Sequence, residues 1–143
     1  MATIVLQSCV KTKLPYRAKA ADLYTSSLFK LSRQYARSLN PDYIFILSAK
    51  YGLVYPEQEI DPYDLTLKTM GVADRREWSR RVLSELLSVV LPGDRIIFLA
   101  GKDYREYLIP SLEKVGCIID VPMKGLSYGK QLQWLKKHEG SDV

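Results

Sequence analysis

Four apolar, partly β-branched runs, at residues 3–7, 43–47, 95–99 and 117–121, are separated by longer stretches of helical periodicity. Within each run the apolar residues are near-continuous rather than alternating. That is the pattern of strands buried on both faces of a mostly parallel sheet. Parallel neighbours need long crossover connections, and the helical stretches supply them. The order predicts an α/β fold of three layers, a mostly parallel four-stranded sheet flanked by helices in a Rossmann-like manner with right-handed crossovers. The length of 143 residues fits a single domain, 1–143, with a core of its own.

The periodicity predicts a first helix over 18–39, with Ala20, Tyr24, Leu28, Leu31, Tyr35 and Leu39 on one face and Arg17, Lys30, Arg33 and Arg37 off it. Asn40-Pro41 ends it, because the residue before a proline disfavours helix. A second helix is expected over 74–91, with Asp74 and Glu77 as a capping box and Trp78, Val82, Leu86 and Val89 as its stripe. A third lies near 103–115, where Pro110 marks a kink or a restart. A last helix begins near Ser127 and turns Tyr128, Leu132 and Leu135 inward. Trp78 and Trp134 read as core residues, and the single histidine, His138, as a surface residue.

Several classes of protein are excluded. No apolar run approaches the roughly 18 residues of a membrane span, so no membrane partner is expected. The first residues read as a strand rather than a secretion signal, which points to the cytoplasm. Cys9 and Cys117 form neither a CxxC nor a zinc pattern, and in a reducing compartment they are free thiols. GxxxxGK[ST] and GxGxxG are both absent, which argues against a P-loop or dinucleotide enzyme. No histidine cluster supports a metal site, and no cofactor is expected. The formal net charge of +5 permits a nucleic acid or nucleotide partner.

In a parallel sheet the C-terminal strand ends converge on one edge, where open α/β sheets bind ligands. Here those ends are Ser8-Cys9-Val10-Lys11, Ser48-Ala49-Lys50-Tyr51-Gly52, Ala100-Gly101-Lys102-Asp103-Tyr104 and Met123-Lys124-Gly125. Small residues let the backbone approach a ligand, and the lysines favour an anion. The second end runs into a long loop rich in tyrosines and carboxylates, and long ordered loops are often functional. In it Asp61 and Asp64 are candidates for general acid–base work or for steadying an oxocarbenium-like sugar, the alternative being turn and solvent contacts. Tyr51 and Tyr63 are placed either to hold a base or to anchor the loop. Cys9, near Lys11 and Lys13, is either a nucleophile of lowered pKa or a packed thiol. Arg75, Arg76, Arg80 and Arg81 offer phosphate contacts or a solvated helical face.

Two resemblances attach to these residues. Ser48-Ala49-Lys50-Tyr51-Gly52-Leu53-Val54-Tyr55-Pro56, followed by Ile60-Asp61-Pro62-Tyr63-Asp64-Leu65, resembles a block of the YaaA-type peroxide-stress proteins over about twenty residues. The rest of the chain looks like a compact, uncharacterised family of domains related to them. That resemblance implies DNA binding and a stress-response role. Cys9, Lys11, Lys13, Pro15, Tyr16 and Ser26 are loosely similar to the cysteine–lysine–proline–tyrosine–serine motif of the lysine-transferring domain of archaeosine synthase, which implies a uracil-glycosylase-like fold.

Residues and resemblance together lead us to expect a nucleic-acid-related enzyme acting on a nucleobase or nucleoside, glycosidase or base-modifying in type. Asp61, Asp64 and Cys9 are the catalytic candidates. Ser8, Lys11, Lys13, Tyr24, Ser26, Ser48, Lys50, Tyr51, Gly52, Tyr63, Gly101, Lys102 and Tyr104 are the substrate-binding candidates. The alternatives are a non-catalytic DNA- or RNA-binding protein, in which Arg80 and Arg81 matter more than Asp61, and a protein-interaction module.

Overall fold

Strand β1 (Thr3–Ser8) forms the spine of the molecule, with Ile4, Val5, Leu6 and Gln7 all fully buried. The structure, a computed structural model, describes residues 1–8 and 12–139. β1 pairs in parallel with β3 (Tyr43–Ser48) on one side and β6 (Arg95–Leu99) on the other; β6 in turn pairs in parallel with β7 (Ile118–Asp120). All four strands lie where the apolar runs predict. A fifth, β4 (Gly52–Val54), adds antiparallel to β3, so the main sheet has the order β4-β3-β1-β6-β7. A two-stranded ribbon joins β2 (Ala18–Lys19) to β5 (Glu59–Ile60).

The layers follow from handedness. The chain leaves β1 for β3 on one side, then crosses back past β1 to β6 and on to β7. Right-handed crossovers running in opposite directions put their helices on opposite faces. Accordingly, α2 (Ser27–Ser38) packs with Val5, Ile97 and Leu99 on one face, joined by α6 (Tyr128–Glu139) through Leu135. On the other face α3 (Val72–Leu86) and α5 (Ile109–Val115) cover Ile4, Leu6, Phe45, Ile96 and Phe98. The alternation of Ile4 and Leu6 against Val5 and Gln7 is the period of two of a strand buried on both faces. β7, at the sheet edge, is only partly covered, and its Ile118 is exposed.

Several expectations need correction. The helix over 18–39 is three elements: β2, the single turn α1 (Ala20–Leu23), and α2. The break falls at Ser26, whose hydroxyl accepts the Phe29 N–H at 3.1 Å and so caps a new helix. Tyr24 keeps the helical spacing but is in extended backbone, bridged to Lys13. The capping box is also absent. Gly71 is the N-cap of α3, Asp74 lies in its first turn, and Glu77 pairs with Arg80. That helix ends at Leu86, short of residue 91.

The Ser48 end does not open directly into a loop. It turns back at once into β4, with Gly52 in the left-handed region at φ +76°. Tyr128 is exposed rather than inward, and His138 is half-buried, stacked on Trp134 at 3.9 Å. The break at Pro110 is a restart: α4 (Lys102–Arg105) ends and α5 carries proline in its first turn. Cys117 is a buried free thiol whose pKa is pushed up by burial and then by the nearby Asp94 charge. Among the described residues no helix is long and apolar enough to cross a membrane.

Asp94 ties the start of β1 to the sheet. Its carboxylate accepts the backbone N–H of Ala2 and of Leu91, each at 2.8 Å, and the residue is 3% exposed. These two backbone bonds hold its carboxyl below its ordinary pKa, against burial. A depressed carboxylate contributes stability above its unfolded pKa of about 3.9 and loses it as pH falls through the folded value. Asp94→Asn should therefore lower unfolding free energy by about 1–3 kcal/mol at neutral pH in a urea titration. The gap to wild type should narrow as pH falls below about 4; a gap that does not depend on pH would contradict this role.

Candidate functional site

Across the sheet the parallel strands stand in the order β3-β1-β6-β7, so the direction of crossover reverses between β1 and β6. In open α/β sheets this switch point opens a crevice beyond the strand ends. Here the two ends are held in register by Ser8, whose hydroxyl accepts the Gly101 N–H at 3.2 Å. A cavity of about 210 Å³ lies there. Its apolar wall comes from Leu28 and Phe29 of α2, Phe98 and Leu99 of β6, and Val121 and Met123 beyond β7. Its polar fringe comes from Ser8, Ser32, Lys68, Tyr104, Arg105, Tyr128 and Gln131.

Behind the wall, Gln7 is completely buried. Its Nε2 donates to the Phe29 carbonyl at 2.9 Å and to Ser32 Oγ at 2.7 Å, which fixes the cavity face of α2 to β1. Arg105 donates from Nη1 to the Ala100 carbonyl at 2.7 Å, and partial burial draws its pKa below the ordinary guanidinium value.

A second, more open groove of about 740 Å³ adjoins the cavity. The two share Lys68, Tyr104 and Tyr128. The groove adds Thr12, Lys13, Ser26, Asp64, Leu65, Thr66 and Thr69. It falls within the roughly 300–1,000 Å³ range of small-molecule sites, whereas the inner cavity is smaller and suits a single ring system.

The loop that carries Asp64, Thr66 and Lys68 is anchored by hydrogen bonds. The Tyr63 and Tyr24 phenols lie 2.7 Å apart. Ser48 Oγ donates to the Tyr63 phenol at 2.9 Å and accepts the Tyr51 N–H at 3.0 Å. The Tyr51 phenol accepts the Asp61 N–H at 3.3 Å. From the other face Trp78 Nε1 donates to the Ser48 carbonyl at 2.9 Å, and the Trp78 ring meets Tyr104 edge-on at 5.6 Å. Lys13 Nζ sits 4.5 Å from the centre of the Tyr63 ring, a cation–π contact.

The structure thus gathers some of the expected residues and separates others. Ser8, Gly101 and Tyr104 line the cavity; Lys13, Ser26, Asp64 and again Tyr104 line the groove. Tyr24, Ser48, Tyr51 and Tyr63 form the anchoring network. Gly52 belongs to β4, where an added Cβ would lie 3.2 Å from Glu85 Oε1. Lys50 lies over the Tyr51 ring at 5.3 Å, and neither Lys50 nor Lys102 lines the cavity or the groove. Asp61 is exposed and paired with Arg17 at 3.2 Å, outside both. Cys9 and Lys11 lie outside the described residues.

The arginines at the start of α3 are largely engaged. Arg75 faces Asp103 and Glu106, Arg76 covers the Tyr107 ring at 4.9 Å, and Arg80 pairs with Glu77. Among the described residues no group of three or more His, Cys, Asp or Glu side chains could hold a metal ion.

The sequence reading missed Leu28, Phe29, Ser32, Lys68, Met123 and Gln131. No local motif marks them: Ser32, for example, stands between Leu31 and Arg33 in an ordinary amphipathic helix.

Residues 4–137 match a family of unknown function (DUF6884), and the chain belongs to that family. No curated protein and no solved structure matches it.

Removing one phenol from the network deletes two of its hydrogen bonds. Tyr63→Phe should cost about 1–3 kcal/mol of unfolding free energy, read by urea denaturation, because Tyr24, 1% exposed, and Ser48 both lose their hydrogen bond to the Tyr63 phenol. A variant as stable as wild type would show that the loop is held by other contacts.

Proposed function

We propose that this member of the family is an enzyme acting on a nucleobase or nucleoside, glycosidase or base-modifying in type, bound at the β1–β6 switch point. The observation that carries the reading is the inner cavity opening into the groove across a common wall of Lys68, Tyr104 and Tyr128. A planar heterocycle has apolar faces and a hydrogen-bonding edge. The cavity offers the counterpart: Leu28, Phe29, Leu99 and Met123 for the faces, and Ser8, Ser32 and Gln131 for the edge. A sugar attached to that base would extend into the groove, beside Asp64.

Asp64 is then the preferred carboxylate, since it lines the groove while Asp61 is committed to Arg17. In the glycosidase form of the reaction, the bond from base nitrogen to sugar carbon breaks and its electron pair leaves with the base. Asp64 steadies the positive charge that develops on the sugar and takes a proton from the incoming water, whose oxygen bonds to the sugar carbon. The proton passes on to the departing base, so the products are free base and free sugar. Tyr24, Ser48, Tyr51 and Tyr63 position the loop that bears Asp64, and Lys13 is held over it.

Two variants test this. Gly101 lines the cavity, has φ −64° and has nothing within 4 Å of an added Cβ, so Gly101→Leu adds bulk at the cavity edge without straining the backbone. It should abolish nucleoside binding by calorimetry with the thermal midpoint nearly unchanged. Asp64→Asn should keep binding and lower base release from a nucleoside and oligonucleotide pool by about 10²–10⁴-fold. Binding of oligonucleotides without any product, lost steeply with salt, would instead favour a non-catalytic nucleic-acid-binding protein.

A further inference from the structure

We infer that the outer groove is a phosphate subsite, so that the crevice takes a phosphorylated nucleoside unit in preference to a free base or nucleoside. This deepens the reading of the inner cavity as a base site and rests on it.

The groove presents two ammonium groups, Lys13 and Lys68, against one carboxylate, Asp64. Around them stand the hydroxyls of Thr12, Ser26, Thr66 and Thr69. Leu65, Tyr104 and Tyr128 complete the lining. Two cations beside hydroxyl groups suit a tetrahedral oxyanion, which accepts at every oxygen. Both lysines are positioned by the fold. Lys68 follows Thr66, whose hydroxyl accepts the Lys68 N–H at 3.3 Å, and it is braced by the fully buried Leu67. Lys13 pairs with Tyr24 in an antiparallel bridge and lies over the Tyr63 ring.

Lys68 is in none of the ion pairs among the described residues, whereas Arg17, Arg75, Arg80 and Arg95 all face carboxylates. Lys68 also lines both the cavity and the groove, so a phosphate it holds is one linker away from a ring in the cavity. A sugar is such a linker.

The test is calorimetric titration of wild type, Lys68→Gln and Lys13→Gln with adenosine, uridine, their 5′-monophosphates, ribose 5-phosphate and a short 5′-phosphorylated oligonucleotide, at low and moderate salt. Lys68 is exposed, so its variant should retain the wild-type melting temperature. We expect a monophosphate to bind at least about tenfold more tightly than its nucleoside. The gap should fall towards one in Lys68→Gln, shrink in Lys13→Gln and narrow with salt. Tighter, Lys68-dependent binding of the oligonucleotide would also support the subsite and assign its phosphate to a strand.

Equal binding of nucleoside and monophosphate, unchanged by Lys68→Gln, would overturn the phosphate subsite and leave the base site standing. Lys68-dependent binding of ribose 5-phosphate, with no gain from any base, would keep the subsite and overturn the base reading. Binding of none of these ligands at millimolar concentration would overturn both.

Discussion

The rest of the structure depends on the burial of β1 at the centre of the sheet. Its residues Ile4 to Gln7 are fully covered, so both rows of its backbone groups must find partners, and parallel β3 and β6 provide them. With the first strand in the middle, the chain has to reverse its direction of travel across the sheet. The reversal sends α2 to one face and α3 and α5 to the other, and it leaves the strand ends at Ser8 and Gly101 uncovered by any crossover. The crevice is a consequence of that order.

What lines the crevice depends on two further constraints. Gln7 is a polar side chain in an apolar core, and it fixes α2 by bonding the Phe29 carbonyl and Ser32 Oγ. The Tyr24–Tyr63–Ser48 network fixes the loop that carries Asp64 and Lys68. Buried hydrogen bonds of this kind add modest net stability but are costly to break, and they therefore specify geometry. These networks position the groove wall, with Lys13 laid over the Tyr63 ring and Lys68 on the loop they anchor.

The fold was legible where burial on both faces writes a long apolar run. β1, β3 and β6 fall into that class, and even the half-covered β7 keeps enough apolar residues to be read. β4 was not legible, because Gly52-Leu53-Val54 is too short to show a period and follows directly on a turn. The break before α2 was hidden because Ala20, Tyr24 and Leu28 keep helical spacing across it, while the cap at Ser26 that ends the pattern is a single side-chain bond. At the site, position on the strand ends was enough to find Ser8, Gly101 and Tyr104. Leu28, Ser32 and Gln131 were not findable, since which helical face meets the crevice is decided by packing between α2 and α6. Lys68 sits in a one-turn helix with no motif to mark it. The choice of Asp64 over Asp61 turns on the Arg17 pair, which the sequence separation conceals.

We propose that the β1–β6 switch point binds a nucleobase-bearing ligand. The most direct measurement is a backbone amide NMR titration of the whole chain with a nucleoside monophosphate. We expect concentration-dependent shifts confined to Thr12 and Lys13, Ser26, Leu28–Ser32, Ala100 and Gly101, Tyr104, Met123, Tyr128, Gln131 and the 64–69 loop. No shifts, or shifts centred on the Ser48–Gly52 hairpin and the Arg17–Asp61 pair with the cavity residues unmoved, would contradict it.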